Sequence, residues 1–106
     1  MSKRTVTLSV TLILAVAPVA HAADGAAVYK DQCSKCHGDT GHADTTVAKT
    51  LKVPPLAGDA KVAAMTDAQI VAGIKSNDKH PQKIRGMSDD DLTAAAGVVK
   101  QFASSH

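Results

Sequence analysis

The sequence predicts a small all-α fold of three to four helices, on three observations. Two similar segments, "MTDAQI" at 65–70 and "MSDDDL" at 87–92, each place a hydroxyl residue at an N-cap and a possible capping-box partner three positions later. Apolar residues then recur at helical spacing in the last segment: Leu92, Ala95, Ala96, Val99 and Phe102. No stretch has the pattern of a strand.

A first helix is predicted near residue 24, where Asp24 is a suitable N-cap. It runs to about Cys36 and places Tyr29 and Cys33, four residues apart, on one face. A loop rich in Gly, Asp, Thr and His follows. The stretch 49–58 is also predicted to be a loop, because it contains two prolines.

The chain consists of two segments, residues 1–22 and residues 23–106. Residues 1–22 resemble a secretory signal peptide, with a basic start, an apolar run and a small-residue cleavage site after Ala22. An uncleaved membrane anchor is the alternative, but the apolar run of about 16 residues is shorter than the roughly 20 that a spanning helix needs. We therefore expect an exported, periplasmic domain over residues 23–106, without stable membrane insertion.

The composition indicates that something other than aromatic side chains fills the core. Tyr29 and Phe102 are the only aromatic residues of the 106-residue chain. Domains of this size often need a cofactor or crosslinks for stability. The formal net charge of +2 gives no support to a nucleic-acid partner.

The motif that carries chemistry is "CSKCH" at 33–37. Its C-x-x-C-H spacing is typical of covalent haem attachment, with Cys33 and Cys36 on the porphyrin vinyl groups and His37 beneath the iron. A thioredoxin-like redox pair would need a βαβ context that this helical pattern lacks. A zinc site using both cysteines, His37 and His42 would leave the aromatic-poor core unfilled.

The chain resembles a class I c-type cytochrome of the small bacterial kind over nearly all of residues 23–106. "CSKCHG", "PPLAG" (54–58) and "SDDDL" (88–92) stand in the family's order. The resemblance implies a cytochrome c-like fold wrapped around one covalent haem c. It also implies that the Pro54 carbonyl accepts a hydrogen bond from His37, which would fix the tautomer of this ligand.

The same resemblance implies that the first and last helices cross. The crossing would bring Gly25 and Tyr29 against the face of small residues around Ala95 and Ala96. The last helix has Val98 where the family usually has an aromatic residue.

The second axial ligand of the iron is His80 or Met87. "KHP" stands where the family has "KMP", so His80 occupies the place of the family's ligand. Met87 lies directly before the Ser88 cap, as Met65 does before Thr66, and both positions suit a hydrophobic staple. We predict His80, with Met87 and an open or water-ligated iron as the alternatives.

The predicted function is one-electron transfer between redox proteins, not enzymatic catalysis, although a peroxidase-like side activity is compatible with the sequence. Two histidine ligands imply a lower potential than a histidine and a methionine. A gas-binding sensor with a displaceable ligand and a subunit of a larger complex are the alternatives. We call the segment from Asp78 to Gly86, which carries His80, the ligand loop. A basic cluster around this loop could dock an acidic partner: Lys75, Lys79, Lys83 and Arg85.

Overall fold

The computed structural model describes residues 7, 9, 11 and 23–105, and the described part of the chain contains helices and no strands. The all-α prediction is confirmed. The predicted export signal lies outside the described residues except at positions 7, 9 and 11. The helices are α1 (Gly25–Val28), a π-helical turn (Tyr29–Cys33), α2 (Ser34–His37), α3 (Thr46–Leu51), α4 (Ala60–Ala63), α5 (Asp67–Ser76), α6 (Gln82–Arg85) and α7 (Asp89–Ala103).

The first helical stretch starts at the predicted cap. The Asp24 carboxylate accepts the backbone N–H groups of Ala26 and Ala27 at 3.1 and 3.3 Å. The stretch continues through the π-helical turn, where the Ser34 N–H donates to the Tyr29 carbonyl five residues back. Such turns are frequent at functional sites, and this one leads directly into the C-x-x-C-H motif.

The prediction that residues 49–58 form a loop is wrong at its start, because residues 49–51 belong to α3. The Thr45 hydroxyl caps this helix by accepting the Ala48 N–H at 3.0 Å, and no glycine or proline interrupts it before Lys52. Lys52 then ends it in the left-handed conformation, at φ 55°. The sequence pattern also missed α4, which is too short to show a helical period.

The capping box predicted at the start of α5 is present. The Thr66 hydroxyl accepts the Gln69 N–H at 3.1 Å, and the Gln69 side chain accepts the Thr66 N–H at 2.9 Å. At α7 only half of the box forms, with the Asp91 N–H donating to the Ser88 hydroxyl at 3.2 Å. An aspartate is one methylene shorter than the glutamate usual at this position.

The core lies where α7 packs against α1 and α5. The predicted apolar stripe of α7 faces it, with Leu92, Ala95, Ala96 and Val99 buried and Phe102 half-buried. Met65 and Met87 are partly buried against the same cluster, as a staple requires. None of the helices in the described residues is long and apolar enough to cross a bilayer.

The first and last helices pack together near Ala95 and Ala96, as the family resemblance implies. Tyr29 shares the core cluster with Ala96. Gly25 lies against Ala94 and Val98, and a Cβ at this glycine would stand 2.3 Å from the Ala94 carbonyl oxygen. The closest approach is thus to the backbone of α7, which explains why position 25 has no side chain.

Phe102 joins the end of α7 to the loops that surround the cysteine motif. Its ring meets Tyr29 edge-on, with ring centres 5.1 Å apart. Gly41, at φ 77°, lies so close that an added Cβ would stand 2.9 Å from the Phe102 Cβ. The Phe102 carbonyl also accepts the Gly58 N–H at 3.2 Å. The loops on both sides of α3 are thereby fixed to α7.

Candidate functional site

The cysteine motif lies where the π-helical turn passes into α2. Cys33 ends the turn, while Cys36 and His37 close the helix. Both cysteines are half-buried free thiols. Burial, and to a lesser degree the neighbouring Cys36, raises the pKa of the Cys33 thiol to about 11, so this thiol stays protonated at neutral pH.

The two histidines predicted as axial ligands lie together. The ring centres of His37 and His80 are 6.2 Å apart, and the ring planes are inclined by 43°. Metal–imidazole bonds are about 2 Å long, so imidazoles that bind one metal atom from opposite sides have ring centres about 6 Å apart. The observed separation therefore fits two ligands on one iron, although the rings come from segments more than 40 positions apart in sequence.

The lowered pKa of His37 favours binding of a metal by its imidazole. Burial, and then the proximity of His80, lowers the pKa of its imidazole. The neutral ring is the form that binds a metal. Its Nδ1 is buried and has no hydrogen-bond partner in the part of the chain that the structure describes.

The hydrogen bond from this nitrogen to the Pro54 carbonyl, which the family resemblance implies, is not formed in the structure. Pro54 lies exposed in a segment that other backbone bonds hold. The Val53 N–H donates to Ala48 at 2.9 Å and the Leu56 N–H donates to Gly41 at 2.7 Å. An unpartnered buried nitrogen is uncommon, so His37 Nδ1 still needs an acceptor.

His80 is oriented by its own loop. Its Nδ1 lies 3.2 Å from the Ile74 carbonyl oxygen. A carbonyl only accepts, so this nitrogen carries the proton and Nε2 keeps the lone pair that a metal would bind. The loop backbone is fixed around Asn77, whose carbonyl accepts the His80 N–H and whose side chain accepts the Lys79 N–H, both at 3.0 Å.

Sequence reasoning missed the role of Ile74, because a backbone carbonyl leaves no trace in the residue type. It also treated Tyr29 only as a packing residue. The Tyr29 hydroxyl donates to the Gly38 carbonyl at 2.7 Å, which ties down the residue next to His37. A tyrosine in place of phenylalanine at a buried position was the available signal.

Burial raises the pKa of Tyr29 to about 12, and the thiolate that Cys33 forms at high pH and the carboxylates of Asp39 and Asp44 act in the same direction. The phenol therefore remains a hydrogen-bond donor throughout the neutral range.

Met87 lies in a different environment from the two histidines. It packs against the core cluster that contains Leu92, and its N–H donates to the Ile84 carbonyl at 3.1 Å. It also lines a surface groove with Val28 and Asp31 of the first helical stretch. These contacts give Met87 a structural role.

The predicted basic cluster divides into three environments. Lys75 forms an ion pair with Asp89, while Lys79 and Lys83 are exposed. Arg85 is half-buried, and its Nη2 donates to the Gln82 side chain at 3.0 Å. Two free cations thus remain on the loop surface.

The zinc alternative gains no support from the geometry. Within the described residues, no three histidine, cysteine or acidic side chains are arranged to hold a metal ion by themselves. His42 is exposed, and its Nδ1 lies 2.7 Å from the Thr40 hydroxyl.

One family model matches residues 20–97, well over half of the chain, and its description is "Cytochrome C oxidase, cbb3-type, subunit III". The matched range contains both cysteines, His37, His80 and Met87. No curated protein and no solved structure matches this chain.

Proposed function

Because this chain belongs to the c-type cytochrome family that the cbb3-type subunit III model describes, and such domains carry covalent haem c for electron transfer, we propose that it is a periplasmic monohaem one-electron carrier. The observation that carries the proposal is the 6.2 Å separation of the His37 and His80 rings. A protein with both axial positions filled has no open site for a substrate, which favours electron transfer over catalysis.

The residues of the chain have distinct roles in this proposal. Cys33 and Cys36 would hold the haem as thioethers, and His37 and His80 would bind its iron through Nε2. When bound, the haem supplies the one-electron Fe(II)/Fe(III) couple. Pro54 is the proposed acceptor for the unpartnered His37 Nδ1, a bond that would make this ligand more basic.

His80 is preferred to Met87 because its ring lies at ligand distance from His37 and its tautomer leaves Nε2 free. Met87 is instead engaged by the core cluster. An imidazole donates more strongly than a thioether and favours ferric iron, so the protein is a lower-potential carrier.

Export and docking complete the proposal. The basic and apolar residues before Ala22 support cleavage and delivery to the periplasm. The exposed Lys79 and Lys83 would steer an acidic redox partner to the ligand loop, with association rates that fall as salt rises. Lys75 contributes less, since Asp89 neutralises it.

The family description favours a second possibility, in which the domain serves inside an oxidase assembly. Stable co-purification with oxidase subunits from native membranes would support it, and recovery as a single free chain would support the mobile carrier.

The test is an EPR spectrum of the oxidised, haem-loaded protein at low temperature, with near-infrared magnetic circular dichroism. A low-spin bis-imidazole signature is expected. A histidine–methionine signature would make Met87 the ligand and overturn the assignment of His80. A high-spin signal would instead favour the sensor with a displaceable ligand.

A further inference from the structure

One hydroxyl group joins the C-x-x-C-H motif to the next helix. The Thr45 Oγ1 donates to the Lys35 carbonyl at 2.8 Å and accepts the Ala48 N–H at 3.0 Å. The first partner lies inside the motif, and the second lies in the first turn of α3. A threonine hydroxyl has one proton and two lone pairs, so it can make both bonds at once. Thr45 is therefore both the cap of α3 and a donor to α2.

The end of α2 needs such a donor. This helix has four residues, Ser34–His37, and a helix leaves its last carbonyl groups without partners inside the helix. The His37 carbonyl accepts the Ala43 N–H at 2.8 Å. The Lys35 carbonyl, two residues earlier, accepts the Thr45 hydroxyl. A helix of one turn has little stability of its own, so bonds from outside hold its backbone in place.

The same hydroxyl is connected to the segment that contains Pro54. Ala48 is buried, and its carbonyl accepts the N–H of Val53, the residue directly before Pro54, at 2.9 Å. Three hydrogen bonds thus link the motif, the start of α3 and this segment. Pro54 is the proposed acceptor for His37 Nδ1, so Thr45 connects the two segments that this bond would join.

We propose that Thr45 is a positioning residue for His37, an inference that rests on the proposed function. Its hydroxyl fixes α2 against α3 and so sets the orientation of the His37 imidazole. It acts through the backbone, because its two partners are a carbonyl and an N–H. Tyr29 has the corresponding place on the other side of His37, where it donates to the Gly38 carbonyl. Groups that orient a ligand tune the metal that the ligand binds.

The experiment compares three substitutions of Thr45 in the haem-loaded protein. Thr45→Val keeps the branched shape of the side chain and loses both hydrogen bonds, whereas Thr45→Ser keeps both. Thr45→Asp separates them, because a carboxylate still caps the helix by accepting the Ala48 N–H but has no proton to donate to Lys35. Thr50→Val and Thr50→Asp are the matched controls, since the Thr50 hydroxyl donates within its own helix, to the Thr46 carbonyl at 3.1 Å.

The readout is the set of EPR g values of the oxidised protein at low temperature, which depend on the relative orientation of the two ligand rings. The free energy of unfolding in urea is measured beside it. Thr45→Val and Thr45→Asp should shift the g values, and Thr45→Ser should reproduce those of the parent protein. Both Thr50 variants should leave the g values unchanged.

A lower free energy of unfolding in Thr45→Val, with g values equal to those of the parent, would show that Thr45 serves the fold alone and would overturn the proposal. If Thr45→Val does not accumulate with haem, unshifted g values in Thr45→Asp decide against it, because only the donor to Lys35 is then missing. Shifts of equal size in Thr45→Asp and Thr50→Asp would also overturn it, since charge would explain both. A parent chain without covalent haem would overturn the proposed function as well.

Discussion

The imidazole rings of His37 and His80 lie 6.2 Å apart, and the Ile74 carbonyl accepts the proton on His80 Nδ1. This relationship brings a residue of the C-x-x-C-H motif together with a residue of a loop near the last helix. It depends on α5 as much as on the loop, since α5 supplies the carbonyl. Substitutions at this pair therefore test the ligand assignment most directly.

His80→Met should raise the midpoint potential, because a thioether favours ferrous iron more than an imidazole does. His80→Ala should open the sixth position, so that the reduced protein binds carbon monoxide at neutral pH. Both are measured by redox titration and absorption spectroscopy. Met87→Leu is the control, since it preserves the apolar packing and should leave the spectrum unchanged. Loss of the low-spin spectrum in Met87→Leu, but not in the His80 variants, would show that Met87 and not His80 is the ligand.

Gly25→Ala should destabilise the protein, because the new Cβ would stand 2.3 Å from the Ala94 carbonyl oxygen and force the helices apart. Such overpacking costs about 1–3 kcal/mol in the free energy of unfolding. Urea unfolding measures it.

Gly97→Ala is the matched control in the interior of α7, where an added Cβ meets nothing within 4 Å. It should stabilise the helix by roughly 0.5–1 kcal/mol. Equal effects of the two substitutions would show that the crossing is not closely packed at Gly25.

Tyr29→Phe tests the hydrogen bond to Gly38. The variant leaves a buried carbonyl without its donor, which should cost about 1–3 kcal/mol at pH 9. The stability that the phenol contributes is complete below its unfolded pKa near 10 and is lost as the pH rises toward the folded pKa of about 12.

The gap in unfolding free energy between the parent protein and Tyr29→Phe should thus narrow between pH 9 and pH 11. Urea unfolding of both haem-loaded proteins at the two pH values measures it. A gap that does not depend on pH would mean that the phenol has the same pKa in the folded and the unfolded protein.

Lys79→Glu combined with Lys83→Glu tests the docking surface. Both lysines are exposed beside the ligand loop, so the double variant should slow reduction of an anionic probe such as ferricyanide by about tenfold or more at low ionic strength. Stopped-flow kinetics over a salt series measures the rate. Lys61→Glu on α4 is the control for net charge alone, and it should have a smaller effect. If the rate changes by the same factor per altered charge in Lys61→Glu and in the double variant, Lys79 and Lys83 do not steer the partner specifically.

The sequence predicted the parts of the fold whose signals are local. The caps at Asp24 and Thr66 and the apolar stripe of α7 depend on neighbouring residues, and the structure contains all of them. The close approach of Gly25 to the Ala94 carbonyl oxygen could not be predicted, because composition shows that small residues meet but not which backbone atoms approach.

The candidate site was likewise predictable only where residue types identify it. The motif at 33–37 and the "KHP" of the ligand loop were visible as residue types. The Ile74 carbonyl and the buried Nε of Arg85 were not, because each depends on the path of the backbone and the packing of side chains and not on residue type. The pairing of Lys75 with Asp89 also joins residues 14 positions apart, which reduced a predicted cluster of four cations.

The contacts of Phe102 have a consequence for the order of events during the proposed export. The loops next to Cys33 and Cys36 are fixed to a residue that comes 65 positions after His37. A chain crossing a membrane from its N-terminus therefore presents Cys33 and Cys36 long before the segment that encloses them arrives. We expect the thiols to be modified while this stretch is still open, so that covalent chemistry precedes tertiary folding and the late arrival of α7 closes the finished site.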